Sequence, residues 1–344
     1  MTMRRGVRLA ALAIAAVTVI GVARASDKDD GFFIFLDAAY ASPQNTDEVL
    51  ATTQLFGATQ SESTIRTDFG NDFGGRLGFG YKWKGGGSLS VQYWKYDTDE
   101  RTQADGPAGG FMNFAIGPAS TYYVAGYPVG AYYYRGTYGF PGSLDIESKV
   151  KAQTLDVIWG RDHDLTENLT LGWSLGLRYA KFEETITGTY DSYEAASAGY
   201  YSYDVRKHNK GTMAGFKAGL RVTRNFGKSF GVSSGLGFSF LKGKVESTSS
   251  RGYPVGSFGD ENGLGVTLAS SRDKDRSGLI RDFDVGCYWR IADDHFRVGV
   301  GWEQSSWDGV PHDLIRNTQG SLVNVPERNN VAFSGWKIGL YGRF

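Results

Sequence analysis

Between Leu169 and Tyr179 the chain alternates without a break. Leu169, Leu171, Trp173, Leu175, Leu177 and Tyr179 are bulky and mostly apolar, while Thr170, Gly172, Ser174, Gly176 and Arg178 are small or polar. A period of two places the two sets on opposite faces of one β-strand. The same pattern recurs, predicting ten strands over about 31–40, 72–83, 88–96, 148–159, 169–182, 212–224, 230–242, 279–291, 296–307 and 331–344. The apolar parity carries Phe73, Leu77, Phe79, Tyr81 and Trp83 in the second strand, and Phe216, Ala218, Leu220 and Val222 in the sixth. It carries Phe230, Val232, Leu236, Phe238 and Phe240 in the seventh. A soluble sandwich would need a second layer to cover these faces. Lipid covers them directly, so the expected fold class is an all-β transmembrane antiparallel up-and-down β-barrel of about ten strands.

The connections between these stretches alternate in length. Short turns at Lys84 to Gly87, Gly160 to Asn168, Asn225 to Ser229 and Ala292 to His295 separate long segments at about 41–71, 97–147, 183–211, 243–278 and 308–330. Short periplasmic turns and long extracellular loops are the usual asymmetry of an outer-membrane barrel. The Tyr-rich runs Tyr122-Tyr123 and Tyr132-Tyr133-Tyr134 leave twelve strands as an alternative, but they do not alternate, and ten is the expectation. Aromatic residues at outward positions fall at two levels. Trp83, Trp159, Phe230, Trp289, Phe296 and Phe344 mark the periplasmic level; Phe73, Tyr179, Phe240, Phe283 and Trp302 mark the outer one.

The N-terminus changes the picture by setting the compartment. Arg4, Arg5 and Arg8 precede an uncharged apolar stretch from Leu9 to Val22, and Ala23-Arg24-Ala25 offers a small-x-small cleavage pattern. The expected domains are a cleaved signal peptide over 1–25 and a barrel over 26–344. No segment reaches the roughly twenty apolar residues of a membrane helix, so an outer-membrane location of a Gram-negative cell must be met by strands. The whole chain carries 37 basic and 37 acidic residues; without the leader's four arginines its net charge is −4, which gives no footprint for nucleic acid. Cys287 is the single cysteine, excludes an intrachain disulfide, and is expected on the lipid face beside Val285 and Trp289.

The paired stretches Leu155-Asp156-Val157-Ile158-Trp159-Gly160-Arg161 and Leu175-Gly176-Leu177-Arg178-Tyr179-Ala180 resemble a signature of the pore-forming major outer membrane proteins of the Legionella type. So do Phe216-Lys217-Ala218-Gly219-Leu220-Arg221 with the glycine-spaced strand Gly231 to Gly243, and Val298-Gly299-Val300-Gly301-Trp302-Glu303 leading to Trp307. The likeness covers about half of the mature chain. It implies a porin-like barrel with surface adhesion as a further role, with small solutes or host-surface ligands as partners, and it carries no catalytic residues. Trp336, Ile338, Leu340 and the terminal Phe344 look like the C-terminal signal read by the barrel-assembly machinery.

Candidate chemistry is confined to the lumen and the rim. Inward parity selects Arg76, Asp156, Arg178, Lys217, Arg221, Asp282, Asp284, Arg290, Arg297, Glu303, Lys337 and Arg343. With Arg76, Arg178 and Lys217 on early strands and Asp282, Asp284 and Glu303 on late ones, two arrangements are open: acids and bases on separate arcs with water between them as a charged filter, or arcs that meet as a salt-bridged plug. Inward glycines such as Gly172, Gly176, Gly215, Gly219, Gly235, Gly237, Gly299 and Gly301 are expected to widen the lumen, which favours a narrow channel over a plug. The rival readings are a structural or adhesive surface barrel acting through its Tyr-rich loops, and a rim hydrolase of the omptin kind in which His312 and Asp313 would face Asp282 and Asp284. His163 and His295 read as turn residues, and His208 as a loop residue; no metal or cofactor is expected.

Overall fold

A computed structural model describes residues 30–44, 49–55, 62–105, 110–114, 122–124, 127–129, 143–194, 199–252, 267–291, 295–309 and 330–344. The leader, its cleavage site and the pair His312 and Asp313 lie outside the described residues. In chain order the strands are β1 (Gly31–Gln44), β2 (Val49–Leu55), β3 (Glu62–Arg66), β4 (Asp72–Lys82), β5 (Gly87–Asp105), β6 (Gly110–Phe114), β7 (Tyr122–Val124) and β8 (Tyr127–Val129). They continue with β9 (Ser143–Thr166), β10 (Leu169–Glu194), β11 (Gly199–Phe226), β12 (Phe230–Gly252), β13 (Thr267–Ile291), β14 (Phe296–Asp308) and β15 (Asn330–Arg343). Ten of them close into one antiparallel barrel in the order β1, β15, β14, β13, β12, β11, β10, β9, β5 and β4. The seam pairs Leu36 with Leu340 on one side and with Leu77 on the other. The other strands stand apart from the barrel. β3, β2 and β6 form a small sheet joining the two long segments after β1 and β5, and β7 pairs with β8 at the Tyr-rich run without adding barrel strands.

The lipid face follows the sequence parity. Phe73, Leu77, Phe79, Leu175, Leu177, Phe216, Leu220, Phe238, Phe240, Trp336 and Ile338 are all exposed, Phe216 at 72%. Cys287 is half-buried on the same face as exposed Val285 and Trp289.

The predicted strand ends were too short, and the cause is a reversal of polarity along each strand. Expected loops at 183–211 and 243–278 are largely strand, as are 97–105 and 143–147. Above Tyr179, the outward positions of β10 become Lys181 and Glu183, while the inward ones become Ala180, Phe182 and Ile186, each at most 1% exposed. β9 does the same, with Lys149 and Lys151 outward and Ile146 and Val150 buried inward. Inside the belt the barrel is apolar outside and polar inside. Beyond it the solvent is water, so the alternation reverses while the hydrogen-bonded ladder continues, β10 pairing with β11 as far as Glu194 opposite Gly199. At about 3.3 Å per residue the 28 residues of β11 reach about 90 Å along the strand, far more than an apolar band about 25 Å tall.

At several inward glycines the space of the missing side chain is taken by a side chain of an adjacent strand. A Cβ on Gly78 would lie 2.2 Å from the ring of Phe35, and one on Gly80 would lie 2.5 Å from that of Phe33. At Gly235 the space is taken by Asp284, whose Oδ1 would be 2.5 Å away, and at Gly219 by Ser174 Oγ at 2.7 Å. These four glycines seat the side chains of adjacent strands.

Candidate functional site

Between the two aromatic levels the barrel interior holds a neutral network of five acids and five bases. Arg178 Nε and Nη2 donate to Asp156 Oδ1 and Oδ2, each at 2.7 Å, and its Nη1 donates to Asp282 Oδ2 at 2.7 Å. Lys217 Nζ donates to Asp156 at 2.7 Å and lies 3.6 Å from Asp282. Arg178 sits on β10 and Asp282 on β13, which are not neighbours in the sheet, so this bond crosses the lumen. A second group completes the network. Lys337 Nζ lies 3.4 Å from Glu303 and 3.6 Å from Asp284, and Arg221 Nη2 lies 3.6 Å from Asp284. Arg76 reaches Glu303 at 3.2 Å and Asp37 at 3.4 Å.

Of the two arrangements, the acidic and basic arcs meet. Asp156 stands among the early bases and Lys337 among the late acids, so every charge of the network meets its opposite. Asp156 and Arg178 retain only 3% and 5% of their side-chain exposure. Burial of that depth is tolerable because Asp156 accepts three charge-assisted hydrogen bonds and Arg178 donates three.

Three of the predicted residues lie elsewhere. Arg297 packs its guanidinium 5.3 Å from the ring centres of both Tyr288 and Tyr341, and Arg290 donates to the Gly227 carbonyl at a periplasmic turn. Arg343 is half-buried near that same end, opposite Phe33. Parity had not singled out Asp37, Tyr288 or Tyr341. Asp37 was hidden because its neighbours Phe33 and Phe35 are apolar on the inward face, which blurs the alternation of β1. Tyr288 also donates its hydroxyl to Asn225 Oδ1 at 2.7 Å, and Phe33 stacks on Tyr341 at 5.7 Å, filling the periplasmic end of the lumen.

On the outer side the network is covered by aromatic side chains. Trp94, Tyr96, Trp307 and Phe333 are all buried, with Trp94 to Phe333 at 5.5 Å, Trp307 to Phe333 at 5.9 Å and Trp94 to Trp307 at 6.0 Å between ring centres. Trp307 Nε1 donates to Ser305 Oγ at 2.9 Å, and Ser305 donates to Asp282 Oδ1 at 2.7 Å, so one hydroxyl ties this layer to the ion pairs. Ile280, Met213, Phe182 and Leu241 continue the apolar core above.

The geometry also bears on the rim-hydrolase arrangement. Asp282 and Asp284 are ion-paired within the network and are not presented at the outer rim. His163 lies on β9, not in a turn, and accepts from Trp173 Nε1 at 3.2 Å. His208 lies on β11 within hydrogen-bond distance of Thr185, at 3.0 Å. No cluster that would hold a metal is present among the described residues.

The sequence family described as Legionella pneumophila major outer membrane protein precursor matches residues 26–342. The chain belongs to this family. Membership places it in the outer membrane of a Gram-negative cell, embedded in that membrane's lipids. Curated proteins give no match. Among solved structures, the outer membrane protease OmpT from Escherichia coli is similar at 14% identity and a TM-score of 0.43, covering 93% of this chain and 99% of that one. The toluene transporter TodX from Pseudomonas putida is similar at 8% identity and a TM-score of 0.29, covering 93% and 91%. OprG from Pseudomonas aeruginosa gives 10%, 0.25, 92% and 97%.

Proposed function

We propose that the protein is a closed outer-membrane barrel that acts at the cell surface, using the membrane-spanning part as an anchor and the extension above it as a stiff support for the outer segments. The observation that carries this reading is the reversal of polarity above the belt, which gives the barrel a water-soluble outer half with its own apolar core. The small sheet of β2, β3 and β6 links two of those segments, which suits a surface presented in a fixed arrangement. A partner on a host surface, met through the Tyr-rich region around β7 and β8, fits the contact chemistry of tyrosine. Replacing residues 106–142 by a short Gly-Ser linker is expected to leave membrane insertion and heat-modifiable gel mobility intact while abolishing binding to host cells. Undiminished binding by this variant would refute the reading.

A narrow gated channel is the second reading, and one feature favours it. Arg178 and Lys217 share both Asp156 and Asp282, so the ion pairs have alternative partners and the network can rearrange without stranding a charge. On this reading the residues lining the path are Arg76, Asp156, Arg178, Lys217, Arg221, Asp282, Asp284, Glu303 and Lys337, with Arg290 and Arg297 at the periplasmic mouth. Small solutes would pass only when the pairs exchange.

A further inference from the structure

We propose that the barrel binds an anionic glycerophospholipid of the periplasmic leaflet on the outward face of β9, β10 and β11, where Arg161, His163 and Arg224 meet the periplasmic edge of the apolar belt. The proposal does not depend on the surface role argued above; it rests on the outer-membrane location, with the short turns facing the periplasm.

Alternation sorts the charges of this end onto two faces. Along Arg161-Asp162-His163-Asp164, Arg161 and His163 take outward positions and the two acids take inward ones. Asp162 pairs there with Lys82 at 2.8 Å, and Asp164 accepts from Thr170 Oγ1 at 2.7 Å. On the outward face the strand register sets no acid opposite a base. Arg161 lies between Gly87 and Trp173, His163 lies opposite Leu171, and Arg224 lies between Leu169 and Val232. Lys84 and Lys228, in the turns at either end of this arc, add two more exposed bases. Across the barrel, Trp289, Ile291, Phe296, Phe344, Phe32 and Tyr81 hold the outward positions at this end, so the bases are confined to one side.

These charges are available to a ligand. Arg161, Arg224, Lys84 and Lys228 are exposed and form no ion pair among the described residues. Glu167, in the turn between β9 and β10, pairs with none of them. Arg224 lies 5.3 Å from the centre of the Phe226 ring, a contact that holds the guanidinium beside the belt without neutralising it. His163 Nε2 accepts from Trp173 Nε1, so the neutral ring carries its proton on Nδ1 and keeps one donor. Above these groups the rings of Trp159 and Trp173 meet edge to face at 4.8 Å, and exposed Leu175 and Leu177 continue the apolar wall. A phospholipid with its acyl chains along this wall sets its phosphate beside Arg161 and Arg224, whose donor forks suit phosphate oxygens. A zwitterionic headgroup brings its own ammonium to that phosphate, whereas an anionic one leaves the negative charge to the protein's bases, so the anionic lipid is preferred.

The test uses the full mature chain refolded in mixed vesicles of phosphatidylcholine and phosphatidylglycerol. Native mass spectrometry of the extracted protein counts the lipids retained, and heat-modifiable mobility checks folding. The wild type is expected to retain phosphatidylglycerol about tenfold in excess of its share in the vesicles, from the contribution of each base near an anionic headgroup. Arg161→Gln with Arg224→Gln is expected to lose most of that excess, and Arg161→Lys with Arg224→Lys, which keeps the charges, to keep most of it. Lys95→Gln with Lys181→Gln removes the same charge at the outer headgroup level, where each base already lies beside an acid, and is expected to behave as the wild type. Raising the salt is expected to reduce the excess on the wild type, a readout that needs no variant. No excess of phosphatidylglycerol on the wild type, an excess that resists salt, equal loss from the periplasmic and outer variants, or an undiminished excess on the folded Arg161→Gln, Arg224→Gln variant would each overturn the proposal.

Discussion

Asp156→Asn removes the acid on which the ion-pair network converges. Asp156 accepts three contacts at 2.7 Å, two from Arg178 and one from Lys217, with 3% of its side chain exposed. The substitution leaves five bases facing four acids. Breaking one partner of a buried pair costs about 3–5 kcal/mol. Arg178 keeps Asp282 at 2.7 Å and Lys217 keeps it at 3.6 Å, so the lower end applies, about 3 kcal/mol, or roughly a hundredfold in the folding equilibrium. Urea unfolding in lipid vesicles, followed by tryptophan fluorescence, measures this directly. The double variant Asp156→Asn, Lys217→Met restores neutrality and is expected to recover part of the loss, so the two changes are not additive. A cost below about 1 kcal/mol for Asp156→Asn, the size of an exposed pair, or strict additivity in the double variant, would show that the network is wet and weakly coupled.

Leu175→Arg places a charge in the middle of the lipid face and is expected to cost roughly 2–4 kcal/mol; wild-type folding yield in vesicles would contradict the assigned face. Trp307→Ala empties a fully buried site against Phe333 and Trp94 and is expected to cost about 3–5 kcal/mol in the same urea assay while leaving insertion intact. Asp145, on the outer extension, accepts hydrogen bonds from Arg101 and Gln103, which hold its carboxyl down at about 2. Because that value is depressed, the pairing is present above the ordinary carboxylate range near 4 and is lost as the pH falls through 2. Carboxyl carbon NMR should find the depressed midpoint, and a midpoint near 4 would refute the pairing. Mass spectrometry of the protein from outer membranes is expected to place its N-terminus at Ser26, and any other start would move the cleavage site.

Strand count and lipid face were legible because the bilayer imposes one rule on every strand, as at Leu175, Leu177 and Phe216. The strand ends were not, because that rule stops at the headgroups: Phe182 and Ile186 turn inward where Leu175 and Leu177 faced out, and the same ladder then reads as a loop. The lumen set was legible as a list, since parity selects Arg178 and Asp282 without knowing their neighbours. Their contact was not, because it depends on which residues lie opposite across the barrel, and a sequence carries no such register. Asp37 was masked by the inward rings of Phe33 and Phe35. Trp94 and Trp307 carry no mark in the sequence, because their buried, inward-facing rings lie above the belt, where the rule of apolar outside and polar inside no longer holds.

The central claim, that ion pairs and aromatic side chains close the lumen, is tested most directly by single-channel recording of the purified wild-type protein in planar bilayers. The account predicts an electrically silent barrel at moderate voltage, with Asp156→Asn, which unbalances the network, giving brief openings. A steady open channel from the wild type, insensitive to Asp156→Asn, would contradict it.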